Sequence, residues 1–420
     1  MKARFFSLYH RFFSIQEIES STTLQWFFGA TLFGFFITFN RWVTASVLTI
    51  ETAAQGAHRC WPFFQSCGNW FFLSTLPYGY TQTTLYMFFF ALMGIIVLLM
   101  WQKDWVHAHG LMMILFLWEF TVMFLTMEVS ANYWYYHLLY GFVLLFLPFK
   151  LFFLRIVFVV MYALAGSVKL HPGWLKGTYF SSLKTGLPLF PDFAIPFITN
   201  LVVFMELAGS WFLLSSRKWL RYSVLAYFII FHFYSGILVY YMYPAIMLPP
   251  LLILFIPLYA SDMKLPRQMK SIFGWALIAL LVALQSISWF IHGDVKMTLE
   301  GNKYGVFMFE ANHQCISEYI VHQKDGVTET RKRESINARD RCSPYYTWFS
   351  LHQFCLQRKN DIARIQWTFD HSINGGPYFR IVDTQNVCAL AYRAWKHNTW
   401  IRLPEEGAKI MGYPEKNYYF

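Results

Sequence analysis

Apolar residues run along most of this chain in blocks of roughly twenty, broken by short polar stretches. A helix needs about 20 predominantly apolar residues to cross the hydrocarbon core of a bilayer. Such blocks cover residues 24–42, 83–101, 107–127, 133–149, 151–168, 195–214, 220–240, 243–260 and 271–291. The fourth and fifth are short and separated only by Lys150, so the pattern predicts nine membrane helices, with eight as the alternative. Residues 1–16 mix Phe with Lys, Arg and His, without a long apolar run or a small-residue cleavage site. They read as an interfacial helix and not as a signal peptide.

Beyond residue 292 the pattern changes period. Residues 303–323 alternate apolar and polar, and Lys324-Asp325-Gly326 offers a hairpin turn before 327–333. Residues 365–369 and 377–382 read as strands around Asn374-Gly375-Gly376, and a helical stretch near 345–358 interrupts them. The expected architecture is an α-helical multi-pass membrane protein in three parts. These are an interfacial segment (1–20), a transmembrane bundle (21–292) and a β-rich domain (293–420).

Composition sharpens this picture. Of 420 residues, 56% are hydrophobic and only 14% charged, whereas a soluble domain carries about 25% charged residues. The last 128 residues hold 31 of the 57 charges. Soluble enzymes, nucleic-acid binders and disordered chains are thereby excluded. The net charge of +11 belongs mostly to interhelical loops, where it sets orientation. With nine spans and a cytoplasmic N-terminus, one side receives twelve Lys and Arg and the other five, as the positive-inside rule requires. The loop 43–82, the segment 169–194 and the C-terminal domain then lie outside, in a bacterial inner membrane or an ER membrane. All six cysteines (Cys60, Cys67, Cys315, Cys342, Cys355, Cys388) fall in regions assigned to that side, where disulfides persist. CxxC pairs are absent, which favours disulfides over a metal, and sequence leaves all fifteen pairings open.

Charge inside a span costs several kcal/mol, so each instance is a functional candidate. The candidates are Glu119, Arg155, Lys169, Glu206, His232 and His137. Arg155 and His137 lie within reach of helix ends and can snorkel, and Glu119 can pair with a neighbouring helix. The densest segment is 161–177, MYALAGSVKLHPGWLKG. Its Ala163, Ala165 and Gly166 permit close helix approach. Lys169 follows at the helix end, where scarce water would make it a ready general base. An isolated lysine at a membrane boundary is more commonly an anchor.

At this segment the chain resembles the vitamin K-dependent gamma-carboxylases and their bacterial relatives with an HTTM (horizontally transferred transmembrane) domain. The shared signature is Tyr162, Ala165-Gly166, Lys169-Leu170, Trp174 and Gly177. The similarity extends to Glu206 in FMELAGSWFLL and His232 in YFIIFHFYSGIL, and in the outer domain to Lys303–Met308, Lys324-Asp325-Gly326, Cys355 and Ala394–Trp400. It covers most of residues 20–402. An ungapped alignment of residues 132–148 sets Asn132 on the family asparagine and Tyr133 where the family has histidine. His137 lies one helical turn further on.

The resemblance implies specific chemistry. Lys169 would deprotonate a reduced quinone (vitamin K hydroquinone or menaquinol), with Asn132 and His232 as its catalytic companions. Tyr133, His137, Glu206, Tyr162 and Trp174 would line the cofactor site. Oxygen and carbon dioxide would be co-substrates, no metal is needed, and an exported peptide or protein would supply the glutamate. Such an enzyme is a carbon–carbon lyase or ligase whose cofactor carries the hard step. The resemblance also suggests a disulfide tying the 43–82 loop to the outer domain through Cys355. Two other readings stand beside it: a quinone-using redox protein without carboxylation, and a non-catalytic membrane partner for an exported protein.

Overall fold

The computed structural model describes residues 2–44, 59–71, 81–127, 131–181, 183, 186–238, 241–257, 264–336 and 342–403. Most of the 43–82 loop, Lys184 and the end of the 243–260 block lie outside the described residues. The N-terminus forms α1 (Lys2–Phe12) and α2 (Ile15–Ser20). The long apolar blocks then form α3 (Thr22–Thr44), α4 (Thr81–Trp101), α5 (Trp105–Leu125), α6 (Asn132–Phe146), α7 (Lys150–Ser167), α8 (Ile195–Leu207), α9 (Lys218–Leu238), α10 (Met242–Phe255) and α11 (Ile272–Phe290).

Among the described residues, six segments are long and apolar enough to cross a membrane: Thr22–Thr44, Thr84–Trp101, Trp105–Leu125, Lys150–Ser167, Lys218–Leu238 and Met269–Phe290. This is the signature of an integral membrane protein. The other three expected spans are helical but short. α6 has 15 residues, α8 has 13 and α10 has 14. At 1.5 Å per residue each reaches about 20–22 Å, against a core of about 30 Å. Local chemistry explains the shortening. α6 stops two residues before Pro148, because a residue preceding proline is pushed out of the helical region. After α8 the chain tightens into a 3-10 turn over Gly209–Leu214, and α10 carries Pro249 and Pro250 inside it.

Helix starts are fixed by side chains. The Ser21 hydroxyl accepts from the Leu24 amide at 3.3 Å, and Asp104 accepts from the His107 amide at 3.3 Å. The Glu17 carboxylate of α2 accepts from the amides of Phe149 and Lys150 at 2.8 and 2.7 Å, capping α7 from a distant part of the chain. An anion there meets the unpaired amides and the positive end of the helix dipole.

The chain divides into two compact units. The first comprises Met1–Trp61, Gln65–Ala163 and Met205–Leu281, and is helical with a core of Phe, Trp and Leu. The second comprises Pro62–Phe64, Leu164–Phe204 and Val282–Phe420. It carries an antiparallel sheet of order β2-β1-β3-β4, with β1 His313–Gln323, β2 Thr328–Ile336, β3 Ile362–Ile373 and β4 Phe379–Thr384. Helix α12 (Pro344–Gln357) interrupts the strands as the pattern predicts. The β1–β2 turn uses Gly326 at φ +89°, and the β3–β4 turn uses Asn374 and Gly375 at +51° and +75°, backbone angles for which Gly and Asn are suited. Alternation misled at one end, because residues 303–312 contain no strand and β1 starts only at His313.

Three disulfides form: Cys60–Cys67, Cys315–Cys342 and Cys355–Cys388. The expected bridge between the 43–82 loop and the outer domain is therefore corrected. Cys60 pairs seven residues away inside its own loop. Cys355 sits on α12 within bonding reach of Cys388, so both partners are local to the second unit.

Candidate functional site

Helix α7 of the first unit presents Phe158 and Tyr162 on one face, four residues apart. Helix α9 answers with Phe228 and His232 at the same spacing. The Tyr162 ring stacks on Phe228 with centroids 4.3 Å apart, and its hydroxyl meets His232 Nε2 at 2.6 Å. His232 is fully buried and lies 5.0 Å from the ring of Tyr243 on α10, which in turn faces Tyr136 of α6 at 6.0 Å. Glu206 of α8, 3% exposed, lies within electrostatic reach of the phenols of Tyr136, Tyr162, Tyr227 and Tyr243. Five helices thus converge on one buried polar cluster. Three of the residues expected from sequence, Tyr162, Glu206 and His232, belong to it. Tyr136, Tyr227 and Tyr243 were not anticipated, because tyrosine in an apolar run reads as membrane filler.

Two atoms of this cluster, the Tyr227 hydroxyl and His232 Nδ1, are buried without a hydrogen-bond partner among the described residues, an arrangement that costs about 1–3 kcal/mol for each. If Tyr162 donates to Nε2, then Nδ1 carries the proton and donates; if Nε2 donates, Nδ1 accepts. Either state matches one end of a quinone–quinol pair, and the surrounding rings suit a flat apolar headgroup.

Lys169 and Trp174 lie in the second unit. Lys169 is 2% exposed. Its ammonium donates to the Ala165 carbonyl at 3.2 Å and sits 5.4 Å from the centre of the Trp174 ring. The α7 C-terminus supplies that carbonyl, a favourable place for a cation. Trp174 donates its indole N–H to the Phe309 carbonyl and stacks on Tyr179 at 5.3 Å. The intervening Pro172–Leu175 turn is capped by His171, whose Nδ1 accepts from the Gly173 amide at 3.2 Å. Burial pushes His171 down to about 4, and the Lys296 ammonium acts the same way. Gly173 has no room for a Cβ, which would come within 2.6 Å of the Asn374 side chain. The motif thus packs closely against the β3–β4 turn.

The remaining residues are placed elsewhere. Asn132 and Tyr133 form the first two positions of α6, and Tyr133 lies edge-on to Trp134 at 4.8 Å. His137 neither snorkels nor joins the His232 cluster: it is fully buried and bonds Glu119 of α5 at 2.8 Å. Consecutive residues on a helix point about 100° apart, so Tyr136 faces α10 while His137 faces α5 and α3. Arg155 is also fully buried, donating to the carbonyls of Leu254 and Pro257 at 2.9 and 3.3 Å. It caps the end of α10 and has a structural role. In comparisons with protein-family models, with curated proteins and with solved structures, this chain matches none.

Proposed function

We propose that this protein is an integral membrane enzyme that uses a reduced quinone to activate a weak carbon acid, in the manner of vitamin K-dependent gamma-carboxylases. The observation carrying the reading is the buried Tyr162–His232 contact, with the open Nδ1 of His232 and the Glu206 charge beside it. His232 would hold the quinol headgroup through Nδ1, and Phe228, Tyr162 and Tyr243 would keep water away. Lys169, in its neutral form, would accept a proton. The bound quinol would supply, with oxygen, a base stronger than any side chain. The carbon acid in this reading is a peptidyl glutamate of an exported protein.

The same proposal includes an orientation: N-terminus cytoplasmic, residues 293–420 extracytoplasmic. Disulfides support it through parity. Six crossings would set Cys60–Cys67 and the two bridges of the second unit on opposite faces, one of them reducing. An odd number, such as the nine helices α3 to α11, sets all three on the oxidising face. The short helices then cross by locally thinning the bilayer. Cysteines introduced within 326–336 should be labelled from outside intact cells and ones within 264–270 should not; the reverse labelling overturns the orientation.

The enzymatic test is purification in mild detergent with assay of bound quinone, followed by incubation with reduced quinone, labelled bicarbonate and glutamyl peptides. Retained quinone together with fixed label supports the proposal. Quinone without label replaces it with a redox function. Neither one leaves the protein as a membrane partner of an exported substrate.

A further inference from the structure

The first unit buries a second pair of ionisable groups that the quinol reading does not use. Glu119 is the one acidic residue of α5, whose sequence is otherwise apolar apart from two histidines in its first turns and Thr121. Its carboxylate Oε2 lies 2.8 Å from Nδ1 of His137 on α6, and both side chains are fully buried. His137 Nε2 lies 3.0 Å from the carbonyl oxygen of Thr31 on α3. The imidazole reaches that backbone because residue 34 is glycine: a Cβ there would collide with His137 Cδ2 and Nε2. Phe35 packs edge-on against the ring at 4.4 Å and Tyr140 at 5.3 Å. The histidine is therefore held from three sides in one orientation.

That orientation decides the proton count. A carbonyl only accepts, so Nε2 carries a hydrogen and donates it to Thr31. Nδ1 and Oε2 then face each other at hydrogen-bond distance with room for a single proton. Without it, two lone pairs would oppose each other and the pair would be a bare anion in an apolar bundle, at a cost of several kcal/mol. With it the pair is neutral overall, whichever atom holds the proton. Glu119 Oε1 has no partner among the described residues. The phenols of Tyr86 on α4 and Tyr140 on α6 lie within electrostatic reach of Glu119, and the Tyr140 hydroxyl donates to the Ile246 carbonyl at 3.4 Å. Phenols bring no cation to neutralise the carboxylate.

We propose that Glu119 and His137 form a proton-binding site inside the bundle, holding one proton between Oε2 and Nδ1, with Oε1 buried beside it. The ligand is a proton taken from water. Its uptake converts a singly negative pair into a neutral one, and its release reverses that, with no other atom transferred. The site is independent of any quinone and stands if the quinol reading fails.

The test is infrared spectroscopy of the purified full-length protein in detergent, comparing wild type with Glu119→Gln. Glutamine preserves shape and hydrogen bonding but cannot release a proton. The wild type should show a hydrogen–deuterium-sensitive band from a buried carboxylic acid, or from a carboxylate bound to imidazolium, that persists from mildly acidic to mildly alkaline pH. The band should be lost completely in Glu119→Gln. Identical spectra, or a wild-type carboxylate titrating with the bulk like an exposed one, would overturn the proposal. If the variant fails to fold, nitrogen-15 NMR of labelled histidines in the wild type decides. An Nε2-protonated imidazole with a strongly hydrogen-bonded Nδ1, or a shared imidazolium, supports the site, and a neutral Nδ1-protonated tautomer refutes it.

Discussion

The two units of this chain treat buried polar groups differently. In the helical unit, polar side chains come in isolated pairs with an atom left over: His232 keeps an open Nδ1 and Glu119 an open Oε1. In the sheet unit open atoms also occur, at Gln285 Nε2, Asn302 Oδ1 and His352 Nδ1 for example, but several buried groups there share networks instead of pairs. Glu300, 1% exposed, receives the amide and side chain of Asn398 at 2.9 and 2.7 Å and His397 Nδ1 at 2.7 Å. His371 bonds the Met297 carbonyl at 2.7 Å and His313 at 3.1 Å. A network with every member satisfied makes a fold unique and rigid. The pairs of the helical unit leave single atoms open, whereas the networks of the sheet unit tie distant segments of its chain together.

The sharpest way to break this contrast is at Lys169. In a quinol-dependent assay Lys169→Ala should lose activity by about 10²–10⁴-fold, the usual weight of a general base, while thermal unfolding changes little. Lys169→Arg should fail as well, because a guanidinium does not give up its proton. A cellular assay in which Lys169→Ala retains full function removes the base from the proposal.

Stability effects should be concentrated in the sheet unit. Opening Cys355–Cys388, which closes a separation of 33 residues, should cost about 4 kcal/mol in the chain-entropy model. Replacing both with serine should therefore lower the unfolding transition of that unit strongly; an unchanged transition would show that the α12 contacts alone suffice.

Acid should act on the same unit. Burial pushes His371, like His171, down to about 4, against about 6.5 in an unfolded chain. The unfolded state then binds more protons between these values. Stability is thus complete above about pH 6.5 and falls as pH drops towards 4, by on the order of 3 kcal/mol per histidine. Acid unfolding followed by tryptophan fluorescence should move to lower pH in His371→Gln. A wild-type protein indifferent to pH between 7 and 4 would contradict the burial argument.

The smallest change is expected at Tyr162→Phe, which removes one hydroxyl from the His232 contact. The cost should be about 1 kcal/mol, with a larger effect on quinone retention than on unfolding. Equal loss in both would make Tyr162 a packing residue and erase the distinction between the units.

Much of this was legible from residue order alone. Runs of apolar residues place nine helical segments, because leaving so many large apolar side chains exposed to water is untenable. The turns at Gly326 and at Asn374-Gly375 were readable because few residues tolerate their backbone angles. The candidates Glu206 and His232 stood out because ionisable groups are scarce in apolar helices, and Tyr162 only through the resemblance of its segment to a known motif. Tertiary structure decided what linear order does not encode. Which cysteines pair depends on which loops come together in space. How far a helix runs depends on proline and on packing, as α6, α8 and α10 show. The pairing of His137 with Glu119 depends on a 100° turn around α6 and on a missing side chain at Gly34, two facts that exist only once three helices have packed.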